Sequence, residues 1–154
     1  MSAFRILSLS LLVVAASNRA TPVPKQWQGV YAKISKTIVD NDVPAYMKWL
    51  RKDFVNLQDG KTAKFAAYEK MFTDFLKPFK NIKATATPLT FTKKGNDIVI
   101  TFHYVFSGDL TKDGKTRTVR FFEDGVDTWS QSNGKYLQRI EQITKEGLLP
   151  AKTS

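Results

Sequence analysis

Near Lys80 the apolar residues of this chain change period, from the three-to-four spacing of a helix to alternation, and they do not change back. Helices that all precede the long strands leave no room for repeated strand–helix–strand crossovers. They must instead cover one face of an antiparallel sheet, which is the α+β class. Upstream, Trp27, Val30, Tyr31, Ile34 and Ile38 recur at helical spacing between Gln26 and Asp40. Asp42 then reads as the N-cap of a second helix, with Pro44 in its first turn and Met47 and Leu50 on its stripe, flanked by Tyr46 and Trp49. Asp53 to Leu57 fits a short strand or extended link ending at the turn pair Asp59-Gly60. The spacing predicts a long helix over Thr62 to Phe79, carried by Phe65, Tyr68, Phe72, Phe75, Leu76 and Phe79, with Pro78 near its end.

Downstream, Ile82 to Thr92, Asp97 to Ser107, Thr116 to Ser130 and Lys135 to Thr144 read as four strands. Gly95-Asn96, Asp113-Gly114 and Asn133-Gly134 supply the hairpin turns between them. The strand from Asp97 separates its faces cleanly. Ile98, Ile100, Phe102, Tyr104 and Phe106 should face the helices, and Val99, Thr101, His103, Val105 and Ser107 should face away.

A chain of 154 residues accommodates one such domain. With no cysteine and one histidine, His103, disulfides, thiol nucleophiles and multi-histidine metal centres are excluded; no metal and no cofactor is expected. Residues 1–16 read as a signal peptide: Arg5, then the apolar run Ile6 to Ala16, too short to cross a bilayer and followed by small residues. The expectation is a secreted or periplasmic protein without a transmembrane anchor. Residues 17–25 form a flexible tail with Pro22 and Pro24, residues 26–146 the domain, and residues 147–154 a loose C-terminal tail. The net charge of +10 comes mostly from lysines spread singly along the chain. That pattern describes a solvated surface and not the basic, aromatic-lined face of a specific nucleic-acid binder, leaving weak polyanion attraction as an alternative role.

Most catalytic motifs fail on inspection. Asp-Gly-Lys-Thr occurs at Asp59 and at Asp113, but a phosphate-binding loop needs an earlier glycine where Val55 and Asp109 stand. Asp109 to Gly114 begins like a calcium loop, yet Thr111 and Arg120 occupy two of its ligand positions. No Gly-x-Ser-x-Gly elbow is present, and His103 sits on the face away from the helices.

The order of helix, helix, short strand, long helix and four long strands resembles the nuclear transport factor 2-like superfamily, which includes SnoaL-like polyketide cyclases, ketosteroid isomerases and scytalone dehydratase. The similarity spans Trp27 to Thr144. It rests on Asn41-Asp42, on Lys52-Asp53-Phe54-Val55 and above all on the closing Asp127-Thr128-Trp129 through Asn133-Gly134-Lys135-Tyr136. The resemblance implies three N-terminal helices on a strongly bent antiparallel sheet, a cystatin-like cone enclosing a pocket, and a homodimer formed through the sheet. At the positions of the isomerases' oxyanion tyrosine and aspartate base, this chain has Ile34 and Gln58, which disfavours that chemistry.

The expected function is therefore a dimeric, non-catalytic pocket module taking an apolar or aromatic small molecule, with Tyr31, Trp49, Phe72, Tyr104 and Trp129 lining the pocket. The alternative is a cofactor-independent lyase or isomerase working with carboxylates and tyrosines. Its catalytic candidates are Glu123 and Asp127, because the parity of Val119 and Phe121 sends Glu123, Asp127 and Trp129 toward the helices. A bulge at Gly125 would reverse Asp127 and Trp129, and surface lysines, Arg120 and Arg139 are the alternative partners for the two acids.

Overall fold

The computed structural model describes residues 21–150. The expected signal peptide and the first part of the expected tail lie outside them. The chain runs α1 (Lys25–Val39), α2 (Val43–Met47), β1 (Leu50–Gln58), β2 (Lys61–Lys64), α3 (Phe65–Leu76), β3 (Phe79–Lys94), β4 (Asp97–Lys112), β5 (Lys115–Ser132) and β6 (Lys135–Leu148). This is an α+β fold with one six-stranded sheet in the order β2-β1-β6-β5-β4-β3.

The turns form where the sequence places them. Asp59-Gly60, Asp113-Gly114 and Asn133-Gly134 each have positive φ at both central residues, as the tightest hairpin turn requires. Asp42 caps α2 by accepting from the Ala45 N–H at 3.0 Å, and Pro44 occupies the first turn. The open edge of β3 is covered by α1, where the Ser35 hydroxyl accepts from the Ala86 N–H at 2.8 Å and so satisfies an edge donor.

Four expectations need correction. The sheet is not wholly antiparallel: no hairpin joins β1 to β6, and the two run parallel. The long helix is shorter than its stripe, because Lys61–Lys64 pairs with β1 and Phe79 pairs with Leu110. Its aromatic spacing continues across both boundaries, so periodicity alone could not place them. Residues 147 and 148, assigned to a loose tail, pair with Phe122 and Phe121, and Leu149 donates to the Arg120 carbonyl. In the N-terminal tail, Thr21 bridges to Phe91 and Val23 packs against the core.

The core lies between the helices and the inner face of the sheet. Ile98, Ile100, Phe102, Tyr104 and Phe106 of β4 are all buried, as their parity predicts. At one end Phe75, Phe79, Phe106 and Phe121 form a ring cluster with centroids 5.0–5.8 Å apart. The other end is not purely apolar, and the polar groups there form the candidate site.

Candidate functional site

β4 and β5 pair without a slip along their whole length, placing Tyr104 opposite Glu123, Phe102 opposite Gly125, Ile100 opposite Asp127 and Ile98 opposite Trp129. Glu123, Asp127 and Trp129 therefore share the inner face with Tyr104. Gly125 marks no bulge in β5. Its missing side chain makes room for Phe102: a Cβ there would lie 2.5 Å from that ring and 2.8 Å from the Gln142 carbonyl oxygen.

The irregularities sit on β6 instead. Trp129 pairs with Gln138 and Thr128 with Ile140; Asp124 pairs with Lys145 and Gly125 with Ile143. Arg139 and Thr144 are thus the extra residues of two bulges. Each bulge resets the alternation, so Gln138 and Glu141 both turn inward although three positions separate them. Glu141 arrives directly opposite Asp127, and Glu146 opposite Glu123.

The inward groups form a connected polar cluster under α1, α2 and α3. The Tyr31 hydroxyl donates to Asp127 Oδ2 at 2.5 Å, and Gln138 Nε2 donates to Asp127 Oδ1 at 2.7 Å. Asn56 Nδ2 donates to Glu141 Oε2 at 2.7 Å, and the Tyr46 and Tyr68 hydroxyls share a hydrogen bond of 3.0 Å. Neither arginine considered as a partner reaches the acids: Arg139 pairs with Asp97, and Arg120 donates to the Pro150 carbonyl.

Ionisation is costly inside this cluster. Burial, then the facing Glu141, pushes the Asp127 carboxyl well above the usual range, against the opposing hydrogen bonds from Tyr31 and Gln138. Glu141 keeps some accessible surface as a residue, but its carboxyl is enclosed by protein and its pKa is raised by burial. Glu123 is raised to about 7 by burial, then by the charges of Glu141 and Glu146. Tyr104 is raised by burial and by Glu123, and its buried hydroxyl has no hydrogen-bond partner. An orphaned buried hydroxyl costs on the order of 1–3 kcal/mol, so this atom is an unfilled bonding position.

These groups surround a cavity of about 60 Å³ walled by Tyr31, Tyr46, Tyr68, Phe102 and Tyr104, with Glu123, Asp127, Gln138 and Glu141 exposed to it. A second cavity of about 200 Å³ adjoins it beneath α3 and shares Tyr68, Phe72, Glu123 and Glu141 with the first. Of the residues expected in the pocket, Tyr31, Phe72 and Tyr104 line the inner cavity. Trp49 and Trp129 do not; they line a separate outer groove with Trp27 and Tyr136. Trp129 still supports the site, its ring nitrogen pointing at the Tyr31 hydroxyl from 3.4 Å. Ile34 is an aliphatic part of the inner wall, whereas Gln58 lines the second cavity and donates to Glu146 Oε2 at 2.6 Å. His103 lies on the opposite face of the sheet, bonded to Asp124 at 2.6 Å and stacked on Phe122.

Tyr46, Asn56, Tyr68, Gln138 and Glu141 were not foreseen as site residues. Tyr46 and Tyr68 were visible as members of helical stripes. Glu141 and Gln138 were hidden by the bulges, which no alternation pattern announces.

No protein-family model matches the chain, and no curated protein matches it in sequence. Solved structures do match its fold. A protein of unknown function with a cystatin-like fold from Nostoc punctiforme aligns with 14% identity over 80% of this chain and 92% of that one, at a TM-score of 0.60. A nuclear transport factor 2-like protein with a cystatin-like fold from Novosphingobium aromaticivorans aligns with 13% identity over 77% of this chain and 79% of that one, at 0.57. The calcium/calmodulin-dependent kinase II hub of S. rosetta aligns with 19% identity over 80% of this chain and 98% of that one, at 0.58.

Proposed function

We propose that this chain, which has the fold of the nuclear transport factor 2-like proteins, is an exported small-molecule-binding module whose site is the cavity between Tyr104, Glu123 and Glu141. One observation carries the reading. The buried Tyr104 hydroxyl has no partner within the protein and borders an aromatic-walled space beside a carboxyl group. A ligand with a hydrogen-bonding group would complete that position.

Size narrows the class. Pockets for drug-sized ligands measure roughly 300–1,000 Å³. The two adjoining cavities together fall short of that range, so a ligand of a few to a dozen heavy atoms fits this reading and a steroid does not. The sheet bends this reading needs are supported by the two bulges in β6. No helix among the described residues is long and apolar enough to cross a membrane, and the leader-like run at Ile6 to Ala16 supports export. One structural neighbour is a kinase hub and another a kinase association domain. Val99, Thr101 and Val105 on the outer face of the sheet support pairing of two copies there.

A second reading, cofactor-independent proton-transfer chemistry of the lyase or isomerase type, is favoured by Glu123. A carboxyl with a pKa of about 7 is half-protonated at neutral pH and suited to give or take a proton. Thermal-shift measurements over a panel of small polar and amphiphilic compounds test the first reading: a saturable shift must appear in the native protein and shrink in Tyr104→Phe. Turnover of any bound compound, lost in Glu123→Gln, would move the assignment to the second.

A further inference from the structure

The charge inside the cavities has one sign. Glu123, Asp127 and Glu141 contribute three carboxyls, and among the described residues no lysine, arginine or histidine lines either space. This occurs in a chain with a net charge of +10, so the acidic interior is set against a basic exterior. The titratable groups facing the three acids are Tyr31 from α1, Tyr46 from α2, Tyr68 from α3 and Tyr104 from β4, with Glu146 beyond Glu123 on β6. None of them supplies a positive charge.

We propose that the site takes a small organic cation, a primary alkylammonium or an amidinium, whose charged head lies among Glu123, Glu141 and the Tyr104 hydroxyl while its apolar tail extends beneath α3. The inference rests on the reading of the cavity as a ligand site. Three features point to this class. Aromatic rings line the space on several sides, and the electron-rich face of a ring attracts a cation more strongly when water is excluded. The unpartnered Tyr104 oxygen accepts an N–H, and the carboxyls take the remaining donors as charge-assisted hydrogen bonds. The acids also do not converge on one point: among the described residues no three metal-ligating side chains are grouped closely enough to hold a metal ion. A head carrying several N–H donors matches that spread better than a single metal ion does.

The proposal carries a proton signature. A cation stabilises the ionised carboxyl, so binding at neutral pH must release protons from the site, Glu123 first. The test is isothermal titration calorimetry of the protein at pH 7 in phosphate and in a buffer of different ionisation enthalpy. The probes are n-butylammonium and benzamidinium, each paired with a neutral isostere, n-butanol and benzamide. The expected result is saturable binding of at least one cation, a heat that differs between the buffers, and its neutral partner weaker by about tenfold or more. Glu123→Gln, with its fold checked by circular dichroism, should weaken the cation about tenfold and reduce the buffer dependence. Neutral isosteres binding as tightly as the cations would overturn the ligand class and leave the cavity as a binding site. Binding by neither member of either pair would overturn both, leaving a cavity that holds water only.

Discussion

Tyr31 and Asp127 stand 96 positions apart in sequence and meet at 2.5 Å in the core, joining α1 to the far half of β5 by a buried hydrogen bond. The bond has two consequences. It fixes the helix that roofs the cavity, and it lowers the cost of any charge on Asp127. Tyr31→Phe keeps the ring and removes the donor. The expected loss is about 1–3 kcal/mol of unfolding free energy. Because Tyr31 favours the ionised carboxyl, the loss should grow as pH rises. Denaturant melts taken as a series from acid to alkaline pH check this, and a loss that stays equal across the whole series would break the link to Asp127 ionisation.

Glu123 predicts an unusual pH profile. Its folded pKa of about 7 lies above the ordinary 4.5, so the folded state holds a proton that the unfolded state has released. Its contribution is fully present below pH 4.5 and is lost as pH rises toward about 7, the reverse of a salt-bridged acid. At about 1.4 kcal/mol per pKa unit, the loss is on the order of 3 kcal/mol. Glu123→Gln should flatten that slope and leave the variant more stable than the native protein at pH 8. A native protein that gains stability between pH 5 and 8, with the variant following it, would contradict the assignment.

Gly125→Ala tests the packing beneath the site. The added methyl meets the Phe102 ring, which could turn, and the Gln142 carbonyl oxygen, which belongs to the backbone of β6 and cannot easily move. The substitution should cost about 1–3 kcal/mol, read as a lower denaturant midpoint. A neutral effect would show that β5 and β6 are not packed this tightly.

Export and pairing can be read on one preparation. Intact mass of protein recovered outside the cytoplasm should begin near Ser17, and Met1 on that material would contradict a cleaved leader. Light scattering at tens of micromolar, an order-of-magnitude concentration for a standard interface, should give a dimer that Val105→Asp dissociates. A monomer throughout would remove the outer face of the sheet from the account.

Much of the architecture was legible because local chemistry and global fold agree at the relevant residues. Asp-Gly and Asn-Gly pairs can adopt the positive φ that hairpins demand, and alternation from Ile98 to Phe106 survives because β5 pairs with β4 without a shift and the extra residues in the β3–β4 pairing lie on β3. Glu123 and Asp127 could be assigned an inner face for the same reason, since β5 keeps its register with β4. Glu141 and Gln138 could not, because β6 carries its two extra residues at Arg139 and Thr144, neither marked by glycine or proline. The parallel pairing of β1 with β6 was equally silent, being a contact between strands with no turn to announce it. Trp49 was placed in the pocket by its stripe, but it lies at the junction of α2 and β1, where its carbonyl accepts from the Gln138 N–H and its ring faces the outer groove.

Glu123, Asp127 and Glu141 form a buried acid cluster whose carboxyls hold their protons above the ordinary carboxylate range, in a space a ligand can enter. Carboxyl-carbon NMR of protein labelled at its aspartates and glutamates measures this directly. The expected result is a Glu123 midpoint near 7, Asp127 and Glu141 midpoints above the ordinary carboxylate range, and joint displacement of Glu123 and Glu141 when a cavity ligand is added. All three resonances titrating near 4 and staying unmoved by every probe would contradict it.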